Sequence, residues 1–78
     1  MKQVIIYTTP YCGPCTQTKK YLTHLGIDYT AIDISENDEL RKDIFEKAHA
    51  VTVPIVQYGS EYVVGYKPME IKALLGIK

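Results

Sequence analysis

Two cysteines separated by two residues have the clearest chemical potential in this sequence. They form the segment Cys12-Gly13-Pro14-Cys15, and the chain of 78 residues contains no other cysteine. In the first turn of a helix, this spacing allows the two sulfur atoms to close a small disulfide. A Cys-X-X-Cys segment in a short α/β chain without a secretory signal is typical of a dithiol redox site. The sequence therefore predicts a site that cycles between dithiol and disulfide.

The roles of the two cysteines depend on which sulfur ionises more readily. A free cysteine has a pKa of roughly 8.5, and unpaired N–H groups at a helix N-terminus lower it. Cys12 would lie exposed at that end, so we predict that it is the nucleophile. Cys15, one turn further in, would attack the mixed disulfide and release the reduced substrate. Gly13 would let a partner approach, Pro14 would stiffen the turn, and Lys19 would add a weak positive field.

Two other interpretations of the cysteine pair involve no redox chemistry. The cysteines could be core residues, or they could form half of a zinc site, which needs four ligands or three with an open position. The other candidate ligands, His24 and His49, do not fall at a finger-like spacing and are expected to lie solvated on helices. We therefore predict no metal site.

The segment Thr52-Val53-Pro54 has two interpretations. Proline at the start of a strand is common at sheet edges and needs no functional explanation. Beside a Cys-X-X-Cys site, a cis peptide between Val53 and Pro54 would turn the backbone groups of Val53 outward, next to the sulfur atoms. These groups could then pair with an extended substrate peptide. We predict that Thr52, Val53 and Pro54 bind substrate.

Gly65 and two tyrosines, Tyr66 and Tyr11, are further candidates for substrate contact. Gly65 and Tyr66 fit a strand end followed by a turn, with Pro68 at the start of a helix. In the functional interpretation, Gly65 admits a substrate backbone close to the surface and Tyr66 forms a packing wall. Tyr11, directly before Cys12, is expected to be an exposed contact surface in the active-site loop.

The apolar pattern predicts the elements that position these residues. A Ser35 and Asp38 pair resembles a capping box at the start of the second helix. The predicted order β-α-β-α-β-β-α forms a four-stranded mixed α/β sheet with helices on both faces, in which a right-handed crossover joins the first two strands in parallel. We predict strands at 3–8, 28–34, 54–58 and 61–64, and helices from Gly13 to Leu25, from Ser35 to about Ala50, and from Pro68 to Gly76.

Composition narrows the class of protein. Residues 1–78 suffice for one small domain. Nine basic and nine acidic residues cancel, which argues against nucleic acid or an anionic membrane as a partner. No apolar run is long enough for a signal peptide or a membrane span, so we expect a cytoplasmic monomer. In that compartment a Cys-X-X-Cys disulfide is transient and catalytic.

Three segments together resemble the glutaredoxin-like branch of the thioredoxin superfamily, and most closely the NrdH-type redoxins. The resemblance covers essentially the whole chain in length and motif order. It implies a minimal thioredoxin fold, with Cys12 and Cys15 as the catalytic pair and Val53-Pro54 as a cis-proline loop. The three segments are Ile6-Tyr7-Thr8 leading into the cysteines, Thr52-Val53-Pro54, and Gly65-Tyr66-Lys67-Pro68.

The same resemblance implies a small dithiol reductant. NrdH-type redoxins take electrons from NADPH through thioredoxin reductase and reduce class Ib ribonucleotide reductase. It implies no bound cofactor other than the redox-active disulfide between Cys12 and Cys15.

Several positions differ from the related patterns. The pair Gly13-Pro14 is of the thioredoxin type, but Ile6 and Tyr11 replace the buried Asp and the Trp of thioredoxins. Thr9 stands where glutaredoxins usually have a Lys that binds glutathione. Their Gly-Gly and acidic pair near the last helix is also missing. Alternative functions are a glutathione-dependent glutaredoxin, a thioredoxin-like reductant with another target, and a thiol-based sensor or interaction module without turnover.

Overall fold

Seven elements follow one another in the predicted order. The computed structural model of the protein describes residues 3–76. Its elements are β1 (Val4–Thr8), α1 (Gly13–His24), β2 (Thr30–Asp33), α2 (Asp38–Ala48), β3 (Ile55–Tyr58), β4 (Glu61–Val64) and α3 (Pro68–Leu74).

The four strands form one mixed sheet in the order β2-β1-β3-β4. β1 pairs in parallel with β2, so that Ile5 lies opposite Thr30, and it pairs antiparallel with β3. The hairpin of β3 and β4 completes the sheet in antiparallel register. The predicted topology is confirmed, and it places the end of β1 in the middle of the sheet. The chain therefore enters the cysteine segment from a strand that has a neighbour on each side.

Helices cover both faces of the sheet because side chains along each strand alternate between the faces. On one face, Leu22 of α1 and Ile71 of α3 pack against the sheet, and both are fully buried. On the other face, Ile44 of α2 is the buried contact. The sheet and loop residues of the first core are Val4, Ile6, Val56 and Val63, and those of the second are Tyr7, Ile34, Ala50 and Ile55.

The start of α2 differs from the prediction. The N-cap is Asn37, whose Oδ1 accepts a hydrogen bond from the backbone N–H of Leu40 at 3.0 Å. Ser35 instead donates its backbone N–H to Oδ1 of Asp33 at 2.8 Å. The capping-box prediction at Ser35 is therefore wrong. Asn caps a helix as well as Ser does, and the Asp33 turn engages Ser35 before the helix begins.

The end of α2 forces a non-glycine residue into the left-handed region. His49 follows Ala48 with φ 53° and ψ 46°. Its backbone N–H donates to the carbonyl of Glu46 at 3.3 Å, and the N–H of Ala50 donates to the carbonyl of Phe45 at 2.8 Å. Glycine is the residue most often found at this position of a helix end, because it lacks the Cβ that disfavours positive φ.

We expect His49→Gly to stabilise the protein by about 0.5–1 kcal/mol, since it removes the steric cost of positive φ at an exposed position. For a domain of this size, that corresponds to a rise in Tm of about 2–8 °C. Urea unfolding would measure the change. Gly26→Ala is the matched control, because Gly26 has φ 74° and a Cβ there would meet no atom within 4 Å. It should lose a similar amount, and an unchanged midpoint for His49→Gly would contradict this account.

Tyr7 is a buried titratable residue whose hydroxyl donates to Oε1 of Gln57 at 2.7 Å. Burial, and then the neighbouring Tyr62, raise the pKa of the Tyr7 phenol above its usual value. The unfolded chain therefore releases this proton first as the pH rises. Stability from Tyr7 is complete below the unfolded pKa of about 10 and is lost as the pH rises through the folded pKa.

Tyr7→Phe should cost about 1 kcal/mol at neutral pH, because it removes the hydrogen bond to Gln57. Above about pH 10 the stability difference between the two proteins should narrow. The wild-type protein loses stability there because burial opposes ionisation of Tyr7, whereas the variant has no ionisable group at this position. Urea unfolding at a series of pH values measures this difference. A difference that stays constant or widens with pH would contradict the assignment.

Candidate active site

The cysteine pair lies where β1 ends and α1 begins. Cys12 is the N-cap of α1, in extended conformation, and it forms a disulfide with Cys15 across a Cα–Cα distance of 5.2 Å. The sulfur of Cys12 accepts the backbone N–H of Cys15 at 3.1 Å. This sulfur occupies the place that a capping oxygen takes in other helices. A thiolate formed there would meet a donor at the positive end of the helix.

The two sulfur atoms differ in their accessibility. Cys15 is 1% exposed, whereas Cys12 is only partly buried. Gly13 and Pro14, between them, are exposed in the first turn of α1. An incoming thiol or disulfide can therefore reach Cys12, while Cys15 is shielded behind it. The arrangement suits an outer sulfur that exchanges with a partner and an inner sulfur that reacts only with its neighbour.

The segment 52–54 lies against the outer sulfur, which is Sγ of Cys12. The peptide bond between Val53 and Pro54 is cis. The carbonyl oxygen of Val53 lies 3.9 Å from Sγ of Cys12. Pro54 is buried, and its carbonyl accepts the N–H of Gly65 at 2.8 Å. Thr52 is exposed beside them. These contacts tie the Gly65 turn to the loop that borders Cys12.

The aromatic candidates lie in different environments. Tyr11 is fully exposed beside Cys12. Tyr66 is half-buried, and its ring stands edge-on to Tyr21 of α1 with centroids 6.2 Å apart. Tyr66 therefore packs on the core as well as flanking the Gly65 turn.

Sequence reasoning missed one exposed apolar residue near the site. Val51 is 90% exposed and directly precedes Thr52. The signal that could have found it is its position, between the end of α2 and the loop that contacts the sulfur. Tyr11 and Val51 form exposed apolar surface on the two segments that lead to the Cys12–Val53 contact.

A carboxylate lies near Lys19, the residue whose positive charge is predicted to act on the site. Lys19 and Asp33 line a cavity of about 290 Å³ together with Thr9 and Thr16. Hydrogen bonds from Ser35 hold the pKa of Asp33 below its usual range, so this carboxylate is ionised at neutral pH. The field of Lys19 near the cysteines is therefore partly offset.

Two further properties concern the part of the chain that the structure describes. Within residues 3–76, no three His, Cys, Asp or Glu side chains come together in a group that could hold a metal ion. His24 and His49 are both exposed. Over the same range, none of the helices combines the length and the apolar character needed to cross a bilayer.

Comparison with known proteins identifies the family. The sequence model of the glutaredoxin family matches residues 4–63. A glutaredoxin of Pseudomonas aeruginosa is 37% identical over 65 residues, which cover 83% of this chain and 77% of that protein. The chain therefore belongs to the glutaredoxin family. It is a glutaredoxin-like thiol oxidoreductase with a Cys-X-X-Cys pair at disulfide distance.

Solved structures agree with this assignment. A variant of a thioredoxin-like protein superimposes with a TM-score of 0.86 and 27% identity over the whole of both chains. The NrdH-redoxin of Escherichia coli, a glutaredoxin-like protein with a thioredoxin-like activity profile, superimposes with a TM-score of 0.82. It is 25% identical, over 92% of this chain and 93% of that one. The architecture is the thioredoxin-like α/β fold.

Proposed function

We propose that this protein reduces disulfide bonds of other proteins through the Cys12 and Cys15 dithiol, as an electron donor to ribonucleotide reductase. Its own electrons would come from NADPH through thioredoxin reductase, in the cytoplasm, with the protein acting as a monomer without a bound cofactor. The observation that carries the proposal is the surface around the accessible sulfur. This surface is apolar at the exposed side chains of Tyr11 and Val51, and it offers the backbone carbonyl of Val53. The two segments that form it, 11–15 and 51–54, contain no charged side chain.

The reaction runs through two exchanges at sulfur. The Cys12 thiolate attacks one sulfur of the target disulfide, and the other target sulfur leaves as a thiolate that takes up a proton. Deprotonated Cys15 then attacks Sγ of Cys12, which releases the second target sulfur and closes the Cys12–Cys15 disulfide. Two electrons pass to the target. The disulfide seen in the structure corresponds to the oxidised product of this cycle.

Substrate docking would use the backbone next to the sulfur. The carbonyl of Val53 lies close to Sγ of Cys12, and Thr52 beside it is exposed. An extended target segment could pair with this backbone, as in strand addition to a sheet edge. Tyr11 and Val51 would supply apolar contact to a folded partner, because exposed aromatic and aliphatic side chains are typical of protein interfaces.

Glutathione is the second candidate reductant or substrate. Family membership favours it, since relatives such as the P. aeruginosa protein are named glutaredoxins. Against it, Thr9 supplies no cation where a glutaredoxin usually has Lys, and Gly65 is followed by Tyr66 and Lys67 without an acidic pair. The thioredoxin-like activity profile of the NrdH-redoxin, at 25% identity, also supports reduction by thioredoxin reductase.

The deciding experiment follows NADPH consumption during reduction of a protein disulfide in two parallel couplings. One coupling supplies thioredoxin reductase, and the other supplies glutathione with glutathione reductase. We expect turnover with thioredoxin reductase alone, after which ribonucleotide reductase is the next substrate to test. Turnover with glutathione alone would replace the proposal with a glutaredoxin activity. Slow exchange and stoichiometric binding in both couplings would indicate a sensor or interaction module.

A further inference from the structure

A chain of hydrogen bonds links a buried hydroxyl to the accessible sulfur. Thr18 is fully buried in α1, and its Oγ1 donates to the carbonyl of Pro14 at 2.9 Å. The carbonyl of Pro14 and the N–H of Cys15 belong to the same peptide group. That N–H donates to Sγ of Cys12 at 3.1 Å. The order of the chain is therefore Thr18 hydroxyl, Pro14–Cys15 peptide, Cys12 sulfur.

We propose that Thr18 is a positioning residue that strengthens the peptide donor to the Cys12 sulfur and thereby stabilises its thiolate. A hydrogen bond to the oxygen of a peptide group polarises the group and makes its N–H a stronger donor. The effect is largest when the acceptor is charged, so it favours the thiolate over the thiol and over the disulfide. The proposal rests on the proposed role of Cys12 as the exchanging sulfur.

A purely structural role for the Thr18 hydroxyl accounts less well for its placement. Thr back-bonds to the carbonyl four residues earlier slightly destabilise helices. By helix geometry, the carbonyl of Pro14 also receives the backbone N–H of Thr18, so it does not need the hydroxyl for satisfaction. Thr23 makes the same type of bond to the carbonyl of Lys19 at 3.0 Å, but it is exposed and lies about three helical turns from Cys12.

Replacing Thr18 leaves the ionisable groups near the Cys12 sulfur unchanged. The nearest of them in the reduced protein is the Cys15 thiol, which all the variants retain, although its backbone N–H is part of the hydrogen-bond chain. The segment 51–54 contributes no ionisable group. A change in the stability of the Cys12 thiolate on removal of the Thr18 hydroxyl would therefore result from loss of the hydrogen-bond chain. Besides Cys15, the ionisable groups on the elements around Cys12 are Tyr11, Lys19, Asp33, Tyr66, and Lys67 with Glu70 as its ion-pair partner at 3.7 Å.

The test measures the rate of Cys12 alkylation by iodoacetamide against pH in the reduced protein, which yields the thiolate-to-thiol ratio without any redox partner. We expect Thr18→Val to lower this ratio by roughly twofold at a pH near the pKa of the thiol. Thr18→Ser keeps the hydroxyl and should retain the wild-type profile, although loss of a buried methyl lowers its stability. Thr18→Ala is the second hydroxyl-free variant, should Val not be accommodated.

Two further readouts separate this proposal from a structural effect. The equilibrium with dithiothreitol should shift so that the Thr18→Val protein is the stronger reductant, because its thiolate is less stabilised. Thr23→Val, the matched control, should leave both the alkylation profile and this equilibrium unchanged. An unchanged profile in Thr18→Val, or an equal shift in Thr18→Ser or Thr23→Val, would overturn the proposal. Because no partner enzyme is present, these results do not depend on whether thioredoxin reductase or glutathione proves to be the reductant.

Discussion

Cys12→Ser should reduce turnover on a protein disulfide to the uncatalysed level in the NADPH-coupled assay. A serine hydroxyl is not ionised at neutral pH and is a poor nucleophile toward sulfur, whereas a thiolate at a helix N-terminus is a good one. Cys15, the other cysteine of the chain, is 1% exposed and cannot meet a folded partner from outside.

The substitution should have little effect on the fold of the reduced protein, because the serine oxygen can cap α1 as the sulfur does. Urea unfolding under reducing conditions is therefore the control, and the variant should match the reduced wild-type protein within about 1 kcal/mol. Turnover that survives in a folded Cys12→Ser protein would refute the assignment of the nucleophile.

Cys15→Ser should trap the target on the protein as a stable mixed disulfide through Cys12. The first exchange needs only the accessible sulfur, and release of the target needs the inner one. In the structure, the inner sulfur is bonded to Cys12 and shielded from solvent, so it is placed to attack this position before any other. Removing it leaves the first exchange possible and stops the second.

The adduct is measured on a non-reducing gel after the reduced variant is mixed with a disulfide-containing target. A band at the summed mass of the two proteins should appear and should disappear when dithiothreitol is added. Cys12→Ser and the double Cys12→Ser, Cys15→Ser variant are the matched controls and should yield no such band. An adduct that forms through Cys15 in the Cys12→Ser protein would reverse the roles of the two cysteines. The absence of an adduct with Cys15→Ser would refute the division of roles.

Much of the architecture could be predicted because it depends on local sequence. The apolar run of β1 and the helix-like spacing after the cysteines each predict one element. The boundaries of the elements depend on tertiary pairing. β2 is shorter than its predicted range 28–34, because a strand extends only as far as its partner pairs with it, and its pairing to β1 covers Thr30–Asp33.

The cap of α2 shows where local reasoning has two competing answers. Ser35 and Asn37 are both good N-cap residues, and both precede the helix. Asp33 engages the backbone of Ser35, and this leaves Asn37 to cap the N–H of Leu40. The choice of N-cap depends on where β2 ends, and the pairing of β2 with β1 sets that end.

The cysteine pair, its spacing at the start of a helix and the order of strands and helices can be predicted from the sequence alone. These are local properties, since neighbouring residues specify them through spacing and periodicity. The groups that surround the Cys12 sulfur come from distant parts of the chain, which the fold brings together. Val53 is 41 residues from Cys12 along the chain, and it reaches that sulfur because β3 pairs with β1. The Gly65 turn joins the same region through the carbonyl of Pro54. Such contacts depend on sheet register, which distant strands establish together, so no short stretch of sequence specifies them.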